Sequence, residues 1–197
     1  LTVRQIEYLN SQYDTDVPLL LMNSFNTDRE TRKIIQKYSH HRVSIRTFNQ
    51  SRYPRVEKES LLPLPLEHDD PKDCWYPPGH GNVYEALENS GLLQELLDMG
   101  KEWLFISNID NLGATVDMNI LRHCISLTEP TEFVMEVTDK TKADIKGGTL
   151  VTVDGNHQQL LELAQVPLQH RNDFTSIKKF KIFNTNNIWV KIASIRE

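Results

Sequence analysis

The feature that most constrains the fold is a set of short apolar runs, each followed by a segment with helical spacing. Residues 17–22 form one such run, and residues 103–107 form another. Runs of this length are typical of strands that are buried on both faces of a sheet. After the first run, Thr27 and Glu30 have the spacing of a helix capping box, and residues 42–48 then alternate as in a strand. The pattern predicts a strand–helix–strand unit.

The rest of the chain predicts further strands separated by helices. Residues 132–137 are predicted to form a strand, and residues 146–166 a hairpin that reverses at Asp154 and Gly155. Residues 180–183 predict a last strand, followed by a polar tip at 184–187 and an apolar helix. This order favours an α/β fold: a mixed, mainly parallel sheet with helices on both faces. The proline-rich residues 51–78 are predicted to be loop.

Composition excludes several classes of partner and location. The chain has 197 residues, and its 22 basic and 27 acidic residues give a net charge of −5, which argues against nucleic acid polymers and anionic membranes as partners. No apolar run approaches the length of a membrane span, and no signal peptide is visible. Cys74 and Cys124 are too few for a disulfide scaffold and fit a reducing compartment, which predicts a cytoplasmic protein.

Polar residues follow three of the predicted strands: Gln50, residues 108–110 and residues 184–187. In open α/β sheets, ligands bind beyond the carboxyl ends of strands. Asp110 is the strongest candidate, because its carboxylate follows a buried strand and hard divalent cations bind carboxylate oxygens. Two alternatives to a metal role are a ribose contact and the cap of the helix expected near Gly113.

One histidine lies in an unusual setting. His80 is placed between two glycines in a loop stiffened by prolines, where a ligand phosphate can approach closely. The other histidines favour structural roles, and a zinc site is not indicated. The segment Lys146-Gly147-Gly148 resembles a phosphate-binding loop only weakly. No nucleophile elbow is present, so the sequence does not support covalent catalysis.

Four longer motifs, taken together, point to a family. They occupy residues 48–55, 75–81, 107–115 and 181–187. In this order they resemble the eukaryotic UTP-glucose-1-phosphate uridylyltransferases, also called UDP-glucose pyrophosphorylases, over essentially the whole chain. The resemblance implies that residues 1–197 are the central part of a nucleotidyltransferase catalytic domain with a GT-A-like, Rossmann-like core.

The resemblance also implies a reaction: UTP and glucose 1-phosphate give UDP-glucose and pyrophosphate, in carbohydrate metabolism such as glycogen biosynthesis. Gln50 and Gly79 would contact the uridine, His80 the sugar phosphate, and Asp110 would bind Mg²⁺. His80 and Asp110 would be the catalytic residues, and Glu162 is expected as a buried carboxylate beside the sugar. The implied substrate-binding residues are Gln50, Gly79, His80, Asn108, Ile109, Asp110, Gly148, Glu162, Asn184 and Asn186.

The same resemblance leads us to expect an incomplete enzyme. The glycine-rich nucleotide loop of the family would lie upstream of Leu1, and a second functional lysine and a C-terminal β-helix domain downstream of Glu197. We therefore expect a core that is incomplete at its N-terminus, with little or no turnover by this chain alone. Release of pyrophosphate from UTP by the isolated chain tests this expectation, and a rate near that of a full-length relative would contradict it. The resemblance also allows a homo-oligomer of the full-length protein.

Two other functions remain open at this point. One is a non-catalytic module that binds a UDP-sugar or a protein partner. The other is a pyrophosphorylase that acts on N-acetylhexosamine 1-phosphate. The residues of the Lys-Gly-Gly and Asn-Thr-Asn-Asn motifs favour an enzyme that acts on glucose 1-phosphate over one that acts on N-acetylhexosamine 1-phosphate.

Overall fold

The computed structural model describes residues 1–64, 71–126, 131–141, 143–144 and 147–196. The chain divides into two compact units. Unit 1 comprises Leu1–Glu102 together with the C-terminal residues from Ile195, and unit 2 comprises Trp103–Ser194. Lys146 and residues 65–70 of the predicted loop lie outside the described residues.

Unit 1 is built around a short parallel sheet and four helices. Its strands are β1 (Leu19–Asn23), β2 (Ile45–Asn49), β3 (Tyr53–Pro54) and β4 (Trp75–Tyr76). Its helices are α1 (Thr2–Tyr13), α2 (Asp28–Gln36), α3 (Val83–Asn89) and α4 (Leu92–Asp98). The apolar stripes of α3 and α4 supply most of its core, with Ala86, Leu87, Leu93 and Leu96 buried beside Phe48 of β2.

The strand–helix–strand prediction for this unit is confirmed. Strands β1 and β2 pair in parallel, with Leu19 opposite Ile45, and α2 lies between them in the chain. The predicted capping box is wrong, because the Thr27 hydroxyl accepts a hydrogen bond from the Ser24 N–H at 3.0 Å and does not cap α2. Asn23 instead joins the end of β1 to α2, donating from Nδ2 to Asp28 Oδ1 at 3.1 Å.

Unit 2 contains a three-stranded sheet and a hairpin. Its elements are β5 (Trp103–Ile106), α5 (Met118–Ser126), β6 (Phe133–Asp139), β7 (Thr149–Val153), β8 (His157–Leu161), α6 (Arg171–Phe174) and β9 (Ile182–Lys191). Strand β9 lies between β5 and β6 and is antiparallel to both. The Trp189 ring is 2% exposed and packs 4.7 Å from the Phe105 ring, so the centre of β9 forms the core.

The first residue of β7 joins the hairpin β7–β8 to β9. Thr149 is fully buried, and its hydroxyl donates to the main-chain oxygen of Ile182 at 2.5 Å. The predicted hairpin is confirmed, although its second strand is His157–Leu161 and ends before most of the predicted residues 160–166. Asp154 and Gly155 adopt the positive φ values of 52° and 82° that a tight reversal requires.

The prediction of a mainly parallel sheet is wrong for the described residues, in which β1–β2 is the one parallel pair. The physical reason lies in β9. The asparagine-rich residues 184–187 predict the end of a strand, but the 10-residue strand β9 continues through them. Residues 188–190 alternate between the faces of the sheet instead of forming the predicted helix, and they pair with β5 and β6. No helix in the described part of the chain is long and apolar enough to cross a membrane.

Candidate functional site

Two loops of unit 1 are joined by a pair of hydrogen bonds. Gly79 N–H donates to Gln50 Oε1 at 2.8 Å, and Ser51 N–H donates to Asn82 Oδ1 at 2.7 Å. The main chain of Gln50 continues the sheet, since its N–H donates to the Asn23 carbonyl oxygen at 2.9 Å. The loop after β2 is therefore attached both to the sheet and to the loop after β4.

These bonds fix the orientation of the Gln50 amide. A main-chain N–H must face an acceptor, so the oxygen of Gln50 points to Gly79 and its NH₂ group points away. The described residues provide no acceptor for that NH₂ group. Gln50 therefore presents two donor hydrogens to a ligand.

Gly79 occupies a backbone conformation that requires glycine. Its φ of 107° and ψ of −171° are rarely adopted by residues with a side chain. A Cβ atom at this position would meet nothing within 4 Å, so the space beside Gly79 is open. The side chain of the next residue, His80, is exposed at the start of a single 3-10 turn, His80–Asn82.

In unit 2, the loop after β5 carries Asn108, Ile109 and Asp110, which are all exposed. The helix-cap alternative for Asp110 is wrong, because α5 begins at Met118 and Asp117 accepts a hydrogen bond from the Asn119 N–H at 2.7 Å. No described residue donates a hydrogen bond to the Asp110 carboxylate. The carboxylate of Asp110 therefore remains accessible to a ligand.

A bulge in β9 brings the Asn-Thr-Asn-Asn motif to this loop. Glu136 pairs with Asn187 and Val137 pairs with Asn184, so two residues of β9, Thr185 and Asn186, are inserted between consecutive residues of β6. Asn186 adopts a left-handed φ of 57°, which asparagine tolerates better than most residues.

The bulge connects three of the predicted site residues. Asn186 Nδ2 donates to Asn108 Oδ1 at 2.9 Å, and Asn184 Oδ1 accepts from the Asn186 N–H at 2.9 Å. The loop after β5 and the asparagines of β9 therefore form one continuous polar surface.

The hairpin extends this polar surface. The Asn184 N–H donates to the Gly148 carbonyl oxygen at 3.0 Å. A Cβ on Gly148 would overlap Glu162 Oε1 and would lie 2.8 Å from Glu162 Cδ, so the carboxylate rests directly on the glycine. Glu162 is exposed, which corrects the expectation of a buried carboxylate. An exposed carboxylate can accept hydrogen bonds from a ligand that approaches from solvent.

The predicted residues thus form two groups. Gln50, Gly79 and His80 are neighbours in unit 1, and the other seven belong to unit 2. Four further side chains hold these loops by hydrogen bonds that the sequence does not predict: Asn82, Asn111, Glu136 and Asn187. Asn187 lies within a recognised motif, but the pattern around Glu136 is that of an ordinary strand.

The described residues contain no group of three His, Cys, Asp or Glu side chains that could hold a metal ion by itself. The Asp110 carboxylate has the chemistry of a Mg²⁺ ligand, since it is exposed and accepts no hydrogen bond from the described residues, and Mg²⁺ binds carboxylate oxygens.

Comparison with known proteins identifies the family. The model of the UTP-glucose-1-phosphate uridylyltransferase family matches residues 1–197. The chain belongs to this family. A probable UTP-glucose-1-phosphate uridylyltransferase of Schizosaccharomyces pombe is 60% identical over 196 residues, covering 100% of this chain and 38% of that protein. The Saccharomyces cerevisiae relative is 59% identical over 196 residues, covering 100% of this chain and 39% of that protein.

Solved structures agree with the assignment to the UTP-glucose-1-phosphate uridylyltransferase family. A UDP-glucose phosphorylase from Trypanosoma brucei matches with a TM-score of 0.85 and 37% identity, covering 99% of this chain and 43% of that one. The L281D mutant of Leishmania major UDP-glucose pyrophosphorylase, in complex with UDP-glucose, matches with a TM-score of 0.82 and 33% identity, covering 98% of this chain and 43% of that one. The chain spans 38% to 41% of the length of the six curated relatives compared.

Proposed function

We propose that this chain is the central part of the catalytic domain of an enzyme that converts UTP and glucose 1-phosphate to UDP-glucose and pyrophosphate. The observation that carries the proposal is the identity of 59% to 60% with two members of the family over the whole chain. The hydrogen bonds among the motif residues support it, because they join residues that the resemblance assigns to one substrate.

Gln50 is suited to recognise uracil. Its NH₂ group points away from Gly79 and can donate to the O4 carbonyl of uracil. Cytosine carries an amino group at the same position, so two donors would face each other. A site built to form a hydrogen bond discriminates strongly against a base that leaves its polar group unpaired.

The polar surface of unit 2 is suited to recognise a neutral hexose. The Glu162 carboxylate accepts hydrogen bonds from sugar hydroxyls, and the amides of Asn184 and Asn186 can both donate and accept. The bond between Asn186 and Asn108 holds one amide in a fixed orientation. Such preorganised groups distinguish hydroxyl positions on a sugar.

The reaction requires charge neutralisation and positioning. A phosphate oxygen of glucose 1-phosphate attacks the α-phosphorus of UTP in line, the bond to the β-phosphate breaks, and pyrophosphate leaves. Both reactants are anionic, and Mg²⁺ held at Asp110 would offset their repulsion when it is bound. His80 is exposed next to the open space at Gly79, where it can orient the sugar phosphate.

A chimera provides the test of the proposed activity. In it, this chain replaces the matching 196-residue segment of the Saccharomyces cerevisiae relative, which supplies the rest of that enzyme. We expect this yeast chimera to release pyrophosphate from UTP in the presence of glucose 1-phosphate, and to prefer that sugar to N-acetylglucosamine 1-phosphate. A folded chimera without turnover would favour a non-catalytic binding module. Roles in glycogen biosynthesis, a cytoplasmic location and a homo-oligomer remain predictions.

Two adjacent glycines provide a matched pair of variants. In Gly147→Ala, the new methyl group would overlap Cε2 of the half-buried Phe183 ring in β9 and would lie 2.7 Å from two further ring atoms. Overpacking of this kind costs about 1–3 kcal/mol, so we expect the Tm of the chain to fall by about 2–12 °C. In Gly148→Ala, the overlap is with the end of the flexible Glu162 side chain, which can turn away.

Gly148→Ala should therefore leave the Tm within about 2 °C of the parent value. In the yeast chimera it should raise the KM for glucose 1-phosphate by roughly 10-fold, because the displaced carboxylate no longer accepts from a hydroxyl. An unchanged KM with Gly148→Ala would remove Glu162 from the proposed sugar contacts. Equal losses of Tm for the two variants would contradict the packing argument.

A further inference from the structure

Glu136 lies at the centre of a hydrogen-bond network that the proposed reaction does not use directly. Its Oε1 accepts from the Trp189 indole N–H at 2.6 Å, and its Oε2 accepts from Asn187 Nδ2 at 3.0 Å. Its main-chain oxygen accepts from the Thr185 hydroxyl at 2.7 Å. One residue of β6 thus binds three residues of β9 at and beside the bulge that contains Asn186.

The network continues to the loop that carries Asp110. Asn187 Oδ1 accepts from Asn111 Nδ2 at 3.3 Å, and Asn111 Oδ1 accepts from the Gly113 N–H at 3.2 Å. Asn111 directly follows Asp110 in the chain. Glu136 is therefore connected both to the proposed sugar contacts and to the proposed metal ligand.

The chemistry of this position requires a carboxylate. Trp189 is 2% exposed and Asn187 is 6% exposed, so their N–H groups cannot turn to water and need an acceptor. Two donors converge on one side chain, and only an acceptor with two oxygens satisfies both. Glutamine would direct its own NH₂ group at one of the two donors.

We propose that Glu136 is a positioning residue that sets the use of glucose 1-phosphate, holding the β9 bulge and, through Asn187 and Asn111, the loop of Asp110. This inference rests on the proposed function. It predicts that the KM for glucose 1-phosphate depends on which residue donates in this network, and that exchanging donor and acceptor together preserves the KM.

The test reverses donor and acceptor in the hydrogen bond between the side chains of Glu136 and Asn187. In Glu136→Gln, one buried donor loses its acceptor, and in Asn187→Asp, two carboxylates face each other. In the double variant, the new glutamine can accept from Trp189 and donate to the new aspartate, which can in turn accept from Asn111. The double variant restores all the bonds of the network and keeps the net charge of the parent chain.

In the yeast chimera, we expect each single variant to raise the KM for glucose 1-phosphate by about 10-fold and the KM for UTP by less than about 2-fold. The double variant should return the KM for glucose 1-phosphate to within about 3-fold of the parent. Glu132→Gln is the matched control, since Glu132 is an exposed carboxylate of unit 2 that lies just before β6, and it should change neither value. Failure of the double variant to restore the KM, or an equal rise for both substrates, would overturn the proposal.

A second measurement separates this inference from the proposed function. In the isolated 197-residue chain, the indole N–H resonance of Trp189 should shift in Glu136→Gln and return towards its parent position in the double variant. If this resonance does not respond, the network itself is wrong. If it responds while the parent chimera has no activity, the proposed function has failed and the positioning role falls with it. Should Glu136→Gln fail to fold, Asn111→Ala is the alternative variant, because it breaks the link to the loop of Asp110. It should give the same selective rise in the KM for glucose 1-phosphate. An unchanged KM for glucose 1-phosphate would overturn the proposal.

Discussion

Asp110→Asn in the yeast chimera is expected to lower turnover by roughly 1,000-fold, the size of effect seen when one preorganised electrostatic contact is removed from a reaction centre. Asparagine has nearly the same volume as aspartate but no negative charge, so it binds Mg²⁺ poorly. The Asp110 side chain is exposed and accepts no hydrogen bond from the described residues, so its replacement disturbs no contact within the chain. The Tm should therefore remain unchanged.

Asp154→Asn is the matched control for this experiment. Asp154 is also exposed in unit 2, and its φ of 52° in the hairpin turn is one that asparagine adopts readily. The control makes the same chemical change and should leave turnover intact. Turnover of Asp110→Asn within about 3-fold of the parent would remove Asp110 from the proposed metal site.

Gly79→Ala is expected to weaken the binding of UDP-glucose markedly, because the backbone at this position requires glycine. Holding a residue with a side chain at φ 107° and ψ −171° costs about 1–3 kcal/mol, so the loop should relax to another conformation. The Gly79 N–H then no longer reaches Gln50, and the orientation of the Gln50 amide is lost. We expect at least about a 10-fold loss of affinity in the yeast chimera, measured by calorimetry.

Gly81→Ala separates this effect from a general effect of the loop. Gly81 lies two residues away, has no positive φ, and a Cβ there would meet nothing within 4 Å. We expect the Gly81→Ala variant to bind UDP-glucose with the same affinity as the parent chimera. If both variants bind equally well, the conformation of Gly79 does not position Gln50 for the ligand.

The sequence was informative where local pattern and local structure agree. The strand–helix–strand unit of β1, α2 and β2 follows from short-range periodicity. The motif residues of unit 2 also proved to be neighbours, as Gly148, Glu162 and Asn184 illustrate. These features depend on residues that are close in the chain or belong to motifs of known order.

The sequence was misleading where long-range pairing decides the structure. The asparagines of β9 have low strand propensity, yet pairing with β6 carries the strand through them. The bulge at Thr185 and Asn186 depends on Glu136, about 50 residues earlier, and no local pattern encodes that partnership. The helix expected near Gly113 likewise begins later, at Met118, where Asp117 accepts a hydrogen bond from the Asn119 N–H.

The most direct test is a titration of the isotope-labelled 197-residue chain with UDP-glucose, followed by the main-chain amide resonances of Gly79 and Asn186. The account predicts that both resonances shift on addition of UDP-glucose, because Gly79 belongs to the proposed uridine contacts and Asn186 to the proposed hexose contacts. If neither resonance moves at millimolar UDP-glucose, or if only one of them does, the chain does not recognise this nucleotide sugar in the way proposed.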